Sequence, residues 1–126
     1  MDDAKVSVLV TWGPHELGDA RTIVGDETAG RAALAPPTSL EELLAVLRRA
    51  SVVVAGDTGP LHMAAALGTP CVGLYGPTSA VRNGPYGQVP RTLTSPNGTM
   101  AALTVDAVFR AVVDVLEHET SAARAR

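Results

Sequence analysis

The sequence predicts an α/β fold, a parallel sheet with helices on its faces. Three observations carry this. Apolar, β-branched runs such as Ser51-Val52-Val53-Val54 and Cys71-Val72-Gly73-Leu74-Tyr75 alternate with stretches of helical periodicity. Strands that alternate with helices imply parallel pairing, with the connecting helices covering the sheet. Apolar residues make up 46% of the 126, too many for a disordered chain and enough for the core of one domain. Aromatic residues are only 3%, so Val, Leu and Ala must fill that core.

Taken in order, Val6 to Val10 reads as a buried strand entering the turn-rich stretch Thr11-Trp12-Gly13-Pro14-His15-Glu16. Leu17, Ala20 and Val24 then fall at helical spacing, with Gly25 as the stop. Ala32 to Ala35 is a short strand ended by Pro36-Pro37. Leu40, Leu43, Leu44 and Leu47 stand at i, i+3, i+4 and i+7 and define the clearest helix. Ser39 and Glu42 form a capping-box pattern at its start, and Arg48 and Arg49 suit the negative end of its dipole.

Ser51 to Ala55 is the next strand. Pro60 fits the first position of the helix after it, where a missing N–H costs nothing, and Gly68 and Pro70 end that helix. Cys71 to Tyr75 follows as a strand, then a Gly/Pro-rich loop from Gly76 to Gly87 of the kind that is often functional. Arg91 to Leu93 is a last short strand. The final helix takes Thr104 as N-cap, with Leu103 and Val108 as a hydrophobic staple. Its expected buried stripe is Val105, Val108, Phe109, Val112 and Leu116, and Ser121 to Arg126 reads as a frayed tail.

The net charge of -3, with no block of like charges, offers no footprint for nucleic acid. The apolar runs fall far short of the roughly 20 residues that span a bilayer, and Met1-Asp2-Asp3-Ala4-Lys5 has no signal-peptide pattern. The single cysteine, Cys71, sits in an expected buried strand and reads as a core residue. These features favour a cytoplasmic protein.

The chemistry concentrates between Ala55 and Pro70. Asp57, Thr58, Gly59 and His62 gather a carboxylate, a hydroxyl, a glycine and an imidazole where a parallel strand ends and a helix begins. A helix start directs free N–H groups outward and binds anions, and a glycine there lets a ligand approach the backbone. Asp57 opposes a bare phosphate and fits better as an acceptor for sugar hydroxyls or as a helix cap. Spacing alone leaves these four divided between a ligand site and a cap beside a core-edge histidine. Glu16 reads either as a ribose ligand or general base, or as a first-turn acid favoured by the helix dipole. Trp12 reads either as packing at a strand end or as a base-stacking surface. His15, His62 and His118 lack metal-ligand spacing, and no Walker A loop, G-x-G-x-x-G or G-x-S-x-G is present.

Gly56-Asp57-Thr58-Gly59-Pro60-Leu61-His62-Met63-Ala64-Ala65-Ala66-Leu67-Gly68-Thr69-Pro70, followed by Leu74-Tyr75-Gly76-Pro77-Thr78, closely resembles the signature of glycosyltransferase family 9, the ADP-heptose:lipopolysaccharide heptosyltransferases. Thr11-Trp12-Gly13-Pro14-His15-Glu16, Pro36-Pro37-Thr38-Ser39-Leu40-Glu41-Glu42-Leu43 and Arg82-Asn83-Gly84-Pro85-Tyr86-Gly87 resemble further segments of that family. The likeness runs from about Val6 to Leu116. It implies a Rossmann-like parallel sheet with flanking helices, belonging to the C-terminal, donor-binding domain of a GT-B glycosyltransferase. By motif position, Glu16 would meet the ribose and Thr38 the adenine side. Asp57, Thr58, Gly59 and His62 would surround the diphosphate and the donor sugar.

The implied reaction is an inverting, metal-independent transfer of a heptose from an ADP-sugar to a lipopolysaccharide-core acceptor, with no cofactor. Residues 1–126 would form a single, partial domain, cytoplasmic or peripheral to the inner membrane. The acceptor domain with its acidic general base, and the first strand–loop–helix of the donor domain, have no counterpart in this stretch. The family's strand order, 3-2-1-4-5-6, makes Val6 to Val10 strand 2 and Ser51 to Ala55 strand 4. The two are then expected either to pair directly or to leave a place for a partner, such as the N-terminal domain or a second copy, since open strand edges are a liability. The leading expectation is a donor-binding domain inactive in transfer by itself. The alternatives are a non-catalytic nucleotide- or nucleotide-sugar-binding module working with a separate chain, and a folded remnant without a ligand.

Overall fold

The computed structural model describes residues 6–25, 31–80, 84–85, 87–88 and 91–125, the last six by backbone only. Met1 to Lys5, and Arg82, Asn83 and Tyr86 of the Gly/Pro-rich loop, lie outside the described residues. The chain divides into two compact units, Met1–Glu42 and Leu43–Arg126.

The first unit holds strand β1 (Val8–Val10), helix α1 (Leu17–Gly25) and strand β2 (Ala32–Leu34). The strands pair in parallel, Val8 opposite Ala32 and Val10 opposite Leu34. The Trp12 indole N–H donates to the Ala35 carbonyl at 2.8 Å, tying the two strand ends together. That bond uses the indole's only donor and fixes the ring at the strand end. The capping box before helix α2 (Leu40–Arg49) forms as expected. Glu42 N donates to Ser39 Oγ at 3.1 Å, and Ser39 N donates to Glu42 Oε1 at 2.8 Å.

The second unit takes the later turns of α2, then strand β3 (Val53–Gly56), helix α3 (Gly59–Ala66), strand β4 (Cys71–Tyr75), strand β5 (Thr92–Thr94), a short 3-10 turn (Met100–Ala102) and helix α4 (Val105–Ala125). Its sheet has the order β3-β4-β5, parallel throughout. β4 is central and covered on both faces, which is why it reads as a continuous apolar run. Cys71 and Tyr75 pack with Leu61, Ala64 and Ala65 of α3 and Leu47 of α2. Val72, on the opposite face, packs with Val112 and Val115 of α4. The alternation follows from the two-residue period of a strand. Gly73 is needed where α3 and the sheet meet, because a Cβ there would lie 2.9 Å from Tyr75 Cε2 and 3.1 Å from Leu61 Cδ2.

Several expectations are corrected. Of the two arrangements expected for β1 and β3, direct pairing is ruled out: β1 belongs to a ladder with β2, and β3 to one with β4. On α4, Val105 is 87% exposed and Val115 is buried. The face turned to the sheet is drawn from Val108, Ala111, Val112, Val115 and Leu116, and Val105 has no part in it. The segment expected to be a frayed tail continues α4 to Ala125, since Ser, Ala and Arg are compatible with a helix. Pro60 takes the second helical position after Gly59, still within the turn that has no use for its N–H. β5 lies one residue later than expected, and Thr104 caps α4 through a bond from Ala107 N to Thr104 Oγ1 at 3.1 Å. No helix among the described residues is long and apolar enough to cross a membrane.

Candidate functional site

β3 ends at Gly56 and α3 begins at Gly59, so Asp57 and Thr58 form the whole connection. Thr58 holds the extended backbone of an N-cap residue, φ -138 and ψ 168, yet its side chain makes no capping bond. Its hydroxyl lies 3.4 Å from the Gly56 carbonyl instead. The Asp57 carboxylate is not a cap either. It reaches into the first turn of the helix, where Oδ1 lies 2.8 Å from His62 Nε2. Neither side chain, then, caps the helix. The start of α3 keeps its partial positive charge without a side-chain acceptor of its own.

Asp57 and His62 are both accessible, with side chains 20% and 41% exposed. The hydrogen bond from His62 holds the Asp57 carboxyl below its ordinary range, helped by a hydrogen bond from Thr78 and by the imidazole's charge, against a smaller opposing effect of burial. Tyr75, fully buried beneath, is pushed up by burial and then by the negative charge of Asp57, which keeps its phenol neutral. A Cβ at Gly59 would make only an ordinary contact with Met63 Cε at 3.5 Å. The fold therefore does not demand glycine there, and what the missing side chain provides is open backbone.

Asp57, Thr58, Gly59 and His62 are thus brought together at the C-terminal end of a parallel strand. Glu16 and Thr38 belong to the first unit. Glu16 is exposed, and its Oε1 accepts a bond from Gly13 N at 2.7 Å while its own N–H donates to the Gly13 carbonyl at 3.1 Å. His15 sits between them at φ 69, the left-handed conformation of a tight turn. The carboxylate so held keeps its second oxygen for another donor. Thr38 is half-buried just before α2.

The parallel pairing of β3 and β4 brings the loop after β4, which carries Thr78, to the same end of the sheet as the loop after β3. Cys71 is buried, its thiol donating to the Thr69 carbonyl at 3.1 Å, and burial pushes its pKa up, which suits a core residue and not a nucleophile. Gln88 braces the same strand end, accepting from Cys71 N at 2.7 Å and donating to Thr69 O at 2.8 Å. A cleft of about 490 Å³ between β5 and α4 is lined by Arg91, Asp114 and His118 and includes none of these site residues.

Residues 1–111 match glycosyltransferase family 9 (heptosyltransferase). Lipopolysaccharide heptosyltransferase 1 of Salmonella typhimurium is 38% identical over 103 residues, covering 81% of this chain and 32% of that protein. The protein of the same name from Escherichia coli K12 is 34% identical over 108 residues, covering 85% of this chain and 33% of its own length. This chain therefore spans about a third of the length of the curated relatives it matches. Among solved structures, E. coli heptosyltransferase WaaC with ADP superposes with a TM-score of 0.78 at 31% identity, over 90% of this chain and 35% of that one. E. coli ADP-heptose lps heptosyltransferase II shares the fold at a TM-score of 0.75 and 19% identity, over 94% of this chain and 39% of its own. A match over most of the chain, relatives above 30% identity and the shared parallel α/β architecture agree: this chain belongs to glycosyltransferase family 9.

Proposed function

We propose that this chain is the donor-binding part of a heptosyltransferase-like glycosyltransferase and binds an ADP-sugar of the ADP-heptose type. The observation that carries the reading is the start of α3, free of a side-chain cap, with Asp57 and His62 paired beside it. Backbone N–H groups there suit the diphosphate, and the Thr58 hydroxyl adds a donor. The open backbone at Gly59 lets the phosphates approach. Asp57, ionised and acceptor-only, suits sugar hydroxyls and would repel a phosphate placed directly on it. This division puts the diphosphate at the helix and the sugar at the carboxylate. Glu16 is assigned to the ribose and Thr38 to the adenine side. The relationship to WaaC, whose solved structures include one with ADP and one with ADP-2-deoxy-2-fluoro heptose, supports the choice of nucleotide.

Transfer needs donor and acceptor held together in a reactive geometry. The residues assigned here all serve the donor, so the 126-residue chain is expected to bind without transferring. Calorimetric titration of the chain with ADP and with ADP-heptose tests this. Binding of both, with ADP-heptose the tighter, and no product when a lipopolysaccharide-core acceptor is added, is the expected result. Failure to bind either nucleotide overturns the proposal and leaves a folded remnant. Binding of ADP with no gain from the sugar favours a nucleotide-binding module.

A further inference from the structure

We propose that the bare backbone of Gly56 and the exposed side chain of Met100 form an apolar wall of this site, against which the C–H face of the donor sugar packs. The inference rests on the ADP-sugar reading given above. β3, β4 and β5 run parallel, so Asp57, the loop after Tyr75 and the segment from Ser95 to Met100 emerge at one end of the sheet. That end is where ligands of open α/β sheets sit. Side chains along a strand alternate between its faces. Val53 and Ala55 pack against the core cluster to which α3 contributes, so position 56 faces the other way. Met100 Cε stands on that side, 3.7 Å from where a Cβ of Gly56 would lie. The end of β3 is thus flanked by Asp57 and His62 toward α3 and by a thioether on the opposite face.

The backbone of Met100 is fixed while its side chain is left to solvent. Gly76 packs so closely on the 3-10 turn that a Cβ would lie 2.7 Å from Met100 N and 3.1 Å from its Cα. Upstream, Ser95 N donates to the Tyr75 carbonyl at 2.7 Å, and Asn97 Oδ1 accepts from Thr99 N at 3.1 Å and from the Thr99 hydroxyl at 2.7 Å. The Met100 side chain is 44% exposed and belongs to neither buried cluster. Gly56 is also unexplained by packing. A Cβ there would make only ordinary contacts, 3.6 Å from the Leu74 carbonyl oxygen and 3.7 Å from Met100 Cε, and its φ is not positive. A strand glycine that packing does not demand marks the close approach of another group. Gly56 and Met100 lie side by side and present one apolar surface at the strand end. A sugar ring carries hydroxyls around its edge and C–H groups on its faces. Asp57 takes hydroxyls, and the thioether, unbranched and polarizable, fits an irregular C–H face.

The test compares affinities of the whole chain for ADP-heptose and for ADP, which lacks the sugar. Met100→Ala removes the wall and is expected to weaken ADP-heptose binding about fivefold and ADP binding by less than about twofold. Met100→Leu, apolar and of similar volume, keeps the preference for the sugar nucleotide. Met100→Gln, of similar length but polar, loses it as the alanine variant does. Gly56→Ala, which the fold accommodates without a lower thermal midpoint, raises a methyl where the ring rests and is expected to weaken ADP-heptose binding about fivefold. Peroxide oxidation of Met100, followed by peptide mass spectrometry, reads the unmodified chain directly. ADP-heptose is expected to slow it at least about threefold and ADP to leave it unchanged. Equal losses for both nucleotides in Met100→Ala, an unchanged ADP-heptose affinity in Gly56→Ala, or oxidation slowed equally by the two nucleotides or by neither, overturn the wall. If the unmodified chain prefers ADP-heptose and Met100→Ala keeps that preference, the wall fails and the ADP-sugar reading stands. If the unmodified chain binds neither nucleotide, both fail.

Discussion

Asp57 is the residue on which the site turns, and its protonation has a definite sign. Its carboxyl is held below the ordinary range, first by the His62 hydrogen bond and then by Thr78. Its charge, and the sugar contact that depends on it, is therefore complete above the ordinary carboxylate range and lost as pH falls through the lowered value. The titratable groups facing it are His62 and Tyr75. Removing the imidazole removes the largest cause of the lowering, so His62→Ala is expected to lose ADP-heptose affinity at a higher pH than the unmodified chain. Binding isotherms from neutral to acid pH measure this, and coincident acid limbs would contradict it. That Asp57 and His62 are neighbours was legible in their spacing, since five residues across a helix start bring side chains within reach. That they bond to each other and do not cap the helix was not legible, because capping and pairing use the same residue types.

Among the elements, α2 is the one most completely written in local sequence. Its leucine spacing, capping box and terminal arginines all concern residues within a turn or two of one another. Ser39→Ala removes the cap and is expected to cost about 1 kcal/mol, read as a lower thermal midpoint. β4 shows the opposite case. Its apolar run announces a buried strand, but the reasons for its glycine and for the one that follows lie in other elements. Gly73→Ala drives a methyl against Tyr75, Leu61 and Thr92 and is expected to cost about 1–3 kcal/mol. Gly76→Ala meets backbone, Met100 N at 2.7 Å and Thr99 C at 3.0 Å, which cannot swing aside as a side chain can. It is expected to lower the urea midpoint at least as far as Gly73→Ala does. In α4 the periodicity pointed to Val105, yet the buried face begins at Val108. A helical repeat gives the direction of a face and says nothing of where along the helix the sheet begins to cover it.

The molecule as a whole is uneven in stability. Among the described residues, the buried apolar side chains of the first unit are Ala20 and Ala35, while the second buries Leu, Val and Tyr side chains on both faces of β4. Opening free energy follows buried apolar contact, so the amides of β1 and β2 are expected to exchange hydrogen at least about tenfold faster than those of β3 and β4. Hydrogen exchange read by mass spectrometry distinguishes the two, and uniform protection across both sheets would count against the expectation. Among the described residues, β1 and β3 each have one neighbour in their ladders.

The order of elements, the limits of most helices, the stop at Gly68 and the family signature were all present in the chain as text. Each depends on interactions between residues close in sequence, such as caps, turns and periodic faces, and these survive without knowledge of the fold. The separate pairing of β1 and β3, the need for glycine at positions 73 and 76, and the shift of the α4 face to Val115 were not readable there. They depend on which strands become neighbours and in which register. That is settled by burial of surfaces drawn from distant parts of the chain, and no local spacing encodes it.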